Sequence, residues 1–241
     1  MASFYDTTVG QQVEFQRVLA SAGFTDSDIA RIIKEPNLAS TMYMAIQPKA
    51  VATVPSWYVS PEQQLARARQ LWPNAVLPEP PKEFTPRTKS EVLLLHVPDS
   101  FDSLWDKVNA PTGYTKSRWE GVKPDKRNLR LAPNKVEFTQ PVWLAFDPEH
   151  GKGERPDSFW GQADVAASEV FSALIQFPEW LLAWFNGASA PNLTGYQLKY
   201  DGNWSGVPFL VRWVDDRQLE LIGSWAVGRG AGWSSPSVRE C

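Results

Sequence analysis

The chain has one cysteine in 241 residues, the final Cys241, and only two histidines, His96 and His150. A lone cysteine excludes an intrachain disulfide and any cysteine-rich metal site. The ending SVREC is not a prenylation signal. Neither sign of charge is in marked excess. With 24 basic and 27 acidic side chains the net charge is −3, which provides no field for gripping nucleic acid or an anionic membrane. No apolar run is long enough to span a bilayer. The opening MASFYDTTVGQQ lacks the basic start and apolar stretch of a secretory signal, so a cytoplasmic protein is expected. On that expectation Asn192-Leu193-Thr194 and Asn203-Trp204-Ser205 are chance matches to the glycosylation pattern.

Motifs of catalysis are equally scarce. There is no G-x-S-x-G elbow. The one glycine-rich loop, GRGAG at 228–232, lacks the Lys-Ser/Thr of a phosphate cradle and the third spaced glycine of a dinucleotide fingerprint. It also leads into Trp233 and a short strand instead of a helix. No catalytic residue, cofactor or metal is assigned on this basis.

Apolar material is plentiful: 43% of residues are hydrophobic and 12 are tryptophan, enough to bury a sizeable core without staples. Over the first fifty residues the pattern is helical. Phe15, Val18, Leu19 and Ala22 form one stripe, Ile29, Ile32 and Ile33 a second, and Leu38, Met42, Ala45 and Ile46 a third. A DNA reader needs a basic recognition face, and this segment is slightly acidic, so a structural or docking bundle is favoured over a DNA-associated regulator. Ser60, Pro61 and Gln63 supply the cap, first-position proline and capping-box partner of a fourth helix, with Leu65, Ala68 and Trp72 on its apolar side. Five prolines within 73–90 then predict an extended connection.

Beyond it the pattern changes. EVLLLHV at 91–97 predicts a buried strand, with His96 as a hydrogen-bonded core or strand-edge side chain. Ser100 caps a helix with Phe101, Leu104, Trp105 and Val108 on one face. Residues 111–135 read as a basic loop, and Lys135 to Phe138 and Val142 to Phe146 as strands. The strongest helix signal is 163–177, followed by a buried helix in PEWLLAWF. The tail alternates as an antiparallel meander, with turns at Asp201-Gly202 and Asp215-Asp216. The expected architecture is α+β: a helical bundle at 1–72, a proline-rich linker at 73–90, and a mixed domain at 91–241 ending in antiparallel strands.

Four tryptophans crowd the last fifty residues, and each is either core or binding face. Trp105, Trp180 and Trp213 fall on apolar faces and are expected in the core. Trp204, in a turn, and Trp233, beside Gly232, are candidates for exposure. Trp225, Arg229, Gly230 and Trp233 surround the GRGAG loop, and Trp and Arg dominate recognition energetics. The leading functional reading is therefore a non-enzymatic ligand- or protein-binding module using Trp204, Trp225, Arg229, Gly230 and Trp233. The rival is a metal-assisted or acid–base hydrolase centred on Asp147, Glu149 and His150 of the DPEH loop.

The segments SPEQQLARARQLWP, EFTPRTKSEVLLLHV, GYTKSRW, APNLTGYQL and the terminal SPSVREC together resemble an uncharacterised family found in genomes of uncultivated, small-genome bacteria. That resemblance transfers no activity. The order of elements is also similar to the C-type-lectin-like fold, which includes the variable proteins of diversity-generating retroelements. This second resemblance implies that Ser224 to Trp233 is a variable binding surface and SPSVREC the fixed end. Of the T-E-A-E-W helix motif typical of that fold's formylglycine-generating branch, the chain keeps only Phe177-Pro178-Glu179-Trp180.

Overall fold

A computed structural model describes residues 25, 54–110, 113–122, 127–184, 186, 188–200, 202–228 and 230–241. The chain divides into two compact units, Met1–Val51 and Ala52–Cys241. The three helices expected over the first fifty residues lie outside the described residues, as does Arg229.

The second unit is mixed α and β, built around a three-stranded sheet. Its strands are β1 (Val92–His96), β4 (Val142–Asp147) and β10 (Ser237–Glu240), in the order β1-β4-β10 and antiparallel throughout. Both faces of β1 are buried, as its continuous apolar run predicts. Leu93 and Leu95 pack with Trp143 on helix α1 (Pro61–Leu71), through Leu65 and Ala68. Val92 and Leu94 face the main core with Leu144, Phe146 and helix α3 (Glu169–Gln176).

Helix α1 begins as its sequence dictates. Ser60 Oγ accepts the Gln63 N–H and Gln63 Oε1 accepts the Ser60 N–H, a closed capping box. One turn on, Gln64 does unusual work. Its amide donates to the Leu93 carbonyl at 3.0 Å and accepts the Leu95 N–H at 2.8 Å. A side chain thus pairs the free edge of β1, an edge that would otherwise invite another strand. The sequence places this helix with the N-terminal bundle and the following prolines in a linker. In the structure both belong to the Ala52–Cys241 unit. Within the proline segment Leu77 and Phe84 pack against the α1 side of the sheet, and the Pro78 carbonyl accepts the Trp143 indole N–H.

After β1, helix α2 (Phe101–Lys107) starts at the Ser100 cap and buries Phe101, Leu104 and Trp105, as expected. Helix α3 is shorter than the predicted 163–177, yet all eight of its residues are buried. PEWLLAWF gives only one turn, α4 (Trp180–Ala183), with Trp180 and Trp184 fully enclosed.

The second sheet has five strands in the order β2-β8-β7-β6-β3: β2 (Thr115–Arg118), β3 (Leu129–Leu131), β6 (Tyr196–Tyr200), β7 (Asn203–Trp213) and β8 (Gln218–Trp225). A small pair, β5 (Ala190–Pro191) and β9 (Trp233–Ser234), lies in parallel. Three expectations are corrected here. The stretch 111–135, read as loop, holds two short strands, one of them parallel to β8. Residues 135–138, read as a strand, form none. The tail is not one meander: β6, β7 and β8 are, but the final strand crosses to the other sheet and pairs with β4. Among the described residues no helix is long and apolar enough to cross a membrane.

Candidate functional site

The five-stranded sheet ends in aromatic side chains, and strand register sorts them onto two faces. On β8, Leu219, Leu221, Gly223 and Trp225 share the face that looks into the core. The two leucines are buried, whereas Trp225 at the strand end is 44% exposed. Its ring packs on Tyr200 with centroids 4.5 Å apart, and Tyr200 in turn meets Trp119 at 6.4 Å. Trp119 is 45% exposed and lies over two glycines. A Cβ on Gly223 would come within 3.1 Å of the Trp119 ring and 2.3 Å of Leu198 Cδ2, and one on Gly121 within 2.3 Å of the indole. The absent side chains create the seat.

Trp204 sits on the opposite face. A register shift between Leu198 and Lys199 places Leu198 opposite Gly206 but Lys199 opposite Trp204, leaving Ser205 as the extra residue of a bulge. Trp204 therefore shares a face with Lys199 and Arg130. The Arg130 guanidinium stacks over the Trp204 ring at 4.2 Å while its Nε donates to Gln197 Oε1 at 2.9 Å. Trp233 is half-buried and packs on Phe209 at 4.6 Å. It also covers Gly230, where a Cβ would meet the indole at 3.3 Å. The residues singled out from sequence thus separate into Trp225 on one face and Trp204, with the Phe209–Trp233 stack, on the other. Trp213, expected in the core, is 44% exposed at the β7–β8 hairpin, its indole N–H donating to Glu220 at 2.8 Å.

The two carboxylates of the DPEH loop are hydrogen-bonded within the fold. Asp147 accepts from Thr88 Oγ1, Ser90 Oγ and the Glu149 N–H. Glu149 accepts from the Ser189 N–H and hydroxyl and from Lys152. The His150 ring packs edge-on against Phe159 at 5.1 Å, and its carbonyl accepts the Ser235 N–H. Among the described residues no group of three or more His, Cys, Asp or Glu side chains could hold a metal ion. The loop instead braces the glycine loop. Gly153 N–H donates to the Trp233 carbonyl at 2.9 Å and Asp157 N–H to the Ala226 carbonyl at 3.2 Å. Two segments that the sequence offers as rival sites are therefore neighbours, one supporting the other.

A second constellation went unread in the sequence. Lys135 Nζ and Glu169 Oε1 form an ion pair at 2.7 Å with side chains 1% and 0% exposed. Glu169 Oε2 accepts the Ala167 N–H at 2.6 Å, and Ser172 Oγ lies 2.8 Å from His96 Nδ1. Burial pushes the Glu169 carboxyl up, but the Lys135 ammonium, His96 and the two hydrogen bonds outweigh it and hold the group ionised. Burial lowers His96; Glu169 raises it and Lys135 lowers it further, leaving the imidazole neutral-prone. The Ser172–His96 contact pairs a nucleophile with a base, yet Nδ1 is the nitrogen used and, among the described residues, no hydrogen bond joins the imidazole to a carboxylate. In sequence, Lys135 reads as a strand residue and Glu169 as an ordinary helix residue, 34 positions apart, with no local signal linking them.

Comparison with models of protein families, with characterised proteins and with solved structures finds no match to this chain.

Proposed function

We propose that the Ala52–Cys241 unit is a non-enzymatic binding module that presents its C-terminal aromatic surface to a protein or small ligand. The observation that carries this reading is the set Trp119, Tyr200 and Trp225: two indoles, each nearly half solvated, Trp119 seated on Gly121 and Gly223 and Trp225 packed on Tyr200. Exposed indoles on a rigid support are the side chains from which recognition hot spots are made. The loop that follows Trp225 is the part of this surface we expect to vary.

The finer assignment is a C-type-lectin-like unit with a variable loop at Ser224–Trp233 and a fixed end at SPSVREC. Two features support it. The first and last strands of the unit share one sheet, so the ends of this unit are anchored while the loop is free to change. Residues 235–239 are also bonded into the framework at several points, by Ala166 N–H to the Pro236 carbonyl, Val238 N–H to the Asp164 carbonyl and Arg239 to Glu91.

The test is comparison of near-identical natural copies of the chain. Differences concentrated in 224–233, with a reverse-transcriptase gene nearby, are expected; even scatter over 91–241 would overturn the variable-loop reading. Loss of a selected partner on W119A/W225A, with the fold intact, tests the aromatic surface itself.

A further inference from the structure

Residues 133–141 join β3 to β4 as a strap across the buried polar cluster. The strap starts firmly, with the Ala132 N–H on the Gly195 carbonyl and the Lys135 N–H on the Ala132 carbonyl. After that, residues 136–140 make no backbone–backbone hydrogen bond among the described residues. Side chains hold it instead. Asn134 Nδ2 donates to the Gly161 carbonyl at 2.9 Å, Lys135 pairs with Glu169, Glu137 accepts the Tyr196 hydroxyl at 3.0 Å, and Phe138 packs edge-on over His96 at 5.7 Å. Between these anchors the strap faces water, with Val136 77% exposed.

We infer that this strap is an acid-operated latch, closed over neutral His96 and lifted when His96 takes up a proton. The charges around the ring decide the sign. Helix α3 offers Glu169 as an anion and Ser172 as a neutral partner; the strap offers Lys135 as a cation and Phe138 as an apolar cover. With the imidazole neutral, Lys135 and Glu169 balance. An imidazolium leaves two cations sharing one carboxylate beneath a phenyl ring, away from water. Lifting Phe138 and Lys135 admits solvent and relieves that excess. The strap also carries Glu137, which accepts the Tyr196 hydroxyl, and beyond Lys135 it is tied only by side chains, so it is the element that yields. The closed state binds the proton less readily than the open one, so opening is favoured as pH falls below the ordinary histidine range, by up to about tenfold per pH unit for one proton.

The experiment uses the full chain between pH 7.5 and 5. Ring-proton NMR follows His96 titration and its contact with Phe138, while a glutamate-specific protease reports access to Glu137, normalised to a free peptide of residues 130–144. The expected result is loss of the Phe138–His96 contact in step with His96 protonation. Cleavage at Glu137 should rise at least tenfold over the same range while contacts between β1 and β4 persist. H96Q, which cannot charge, should keep a flat cleavage rate. Protonation of His96 with the Phe138 contact retained, or equal acid-induced cleavage in H96Q, would overturn the latch. If H96Q does not fold, the wild-type titration decides alone: independent midpoints for His96 and for cleavage reject it.

Discussion

Arg239 grips Glu91 with two nitrogens, Nε to Oε1 at 2.9 Å and one terminal amine to Oε2 at 3.0 Å, and the same amine reaches the Thr85 carbonyl. The pair joins the last strand to the entrance of the first across 148 residues, and the Glu91 side chain is only 6% exposed. Removing the arginine leaves a mostly buried carboxylate short of its charged partner. R239A is expected to cost about 2–3 kcal/mol in a urea titration, and R239K to recover part of it, since lysine cannot present the fork.

The two populations of tryptophan should respond differently to truncation. W180A opens the centre of the main core, where the ring meets Phe146 and Trp184 edge-on, and should lose about 3–5 kcal/mol. W225A removes one partly solvated aromatic pair and should lose about 1 kcal/mol. Near-equal losses by denaturant titration would mean that Trp225 is structural.

Gly195 lies where the NLTGY turn crosses the approach to α3. A Cβ there would meet Ala167 Cβ at 2.5 Å and the backbone at Ala166 O and Ala167 N at 2.9 Å. Neither backbone atom can swing aside, so G195A is expected to destabilise by about 1–3 kcal/mol. The shift should be visible as a lowered Tm and should exceed that of G202S, where nothing approaches within 4 Å and only the φ of +83° penalises serine.

Asp99 supplies an acid-limb prediction. Partial burial pushes its carboxyl up. Hydrogen bonds from Ser103, Trp72, Lys107 and the Ser100 N–H reverse that and hold it well below the usual carboxylate range. A carboxylate depressed in the folded state contributes stability that is present above its unfolded pKa, near 4, and is lost as pH falls further. D99N should therefore be less stable than wild type at pH 7, with the gap narrowing below pH 4, as measured by denaturant midpoints across that range.

Local chemistry was legible in the sequence, and long-range chemistry was not. The Ser60–Gln63 capping box, the Ser100 cap and the buried run of β1 are each decided within a few residues. Trp213 misleads because alternation correctly groups it with Val211 and Phe209, but it stands at the hairpin tip, where it is left 44% exposed. Lys135 and Phe138 alternate like a strand, yet no neighbouring strand reaches them, and the buried ammonium is balanced by Glu169 from a distant helix. Trp119 and Tyr200 escaped notice as site residues because their meeting depends on β2 and β6 flanking the β8–β7 pair, a matter of topology. That Gly153 and Asp157, beyond the DPEH loop, meet Trp233 and Ala226 on either side of the glycine loop could not be known for the same reason.

The extra residue at Ser205 has a consequence for how this sheet can change. Side chains on a regular strand alternate between faces, so drawing Ser205 into the ladder would swing Trp204 from the Arg130 side to the Trp225 side, whereas deleting it would leave Trp204 opposite Lys199 on the Arg130 side. As built, the two aromatic groups are insulated from each other. Substitution around Trp225 can proceed without disturbing the Arg130–Trp204 stack, and a single chain end carries two independently evolvable surfaces back to back.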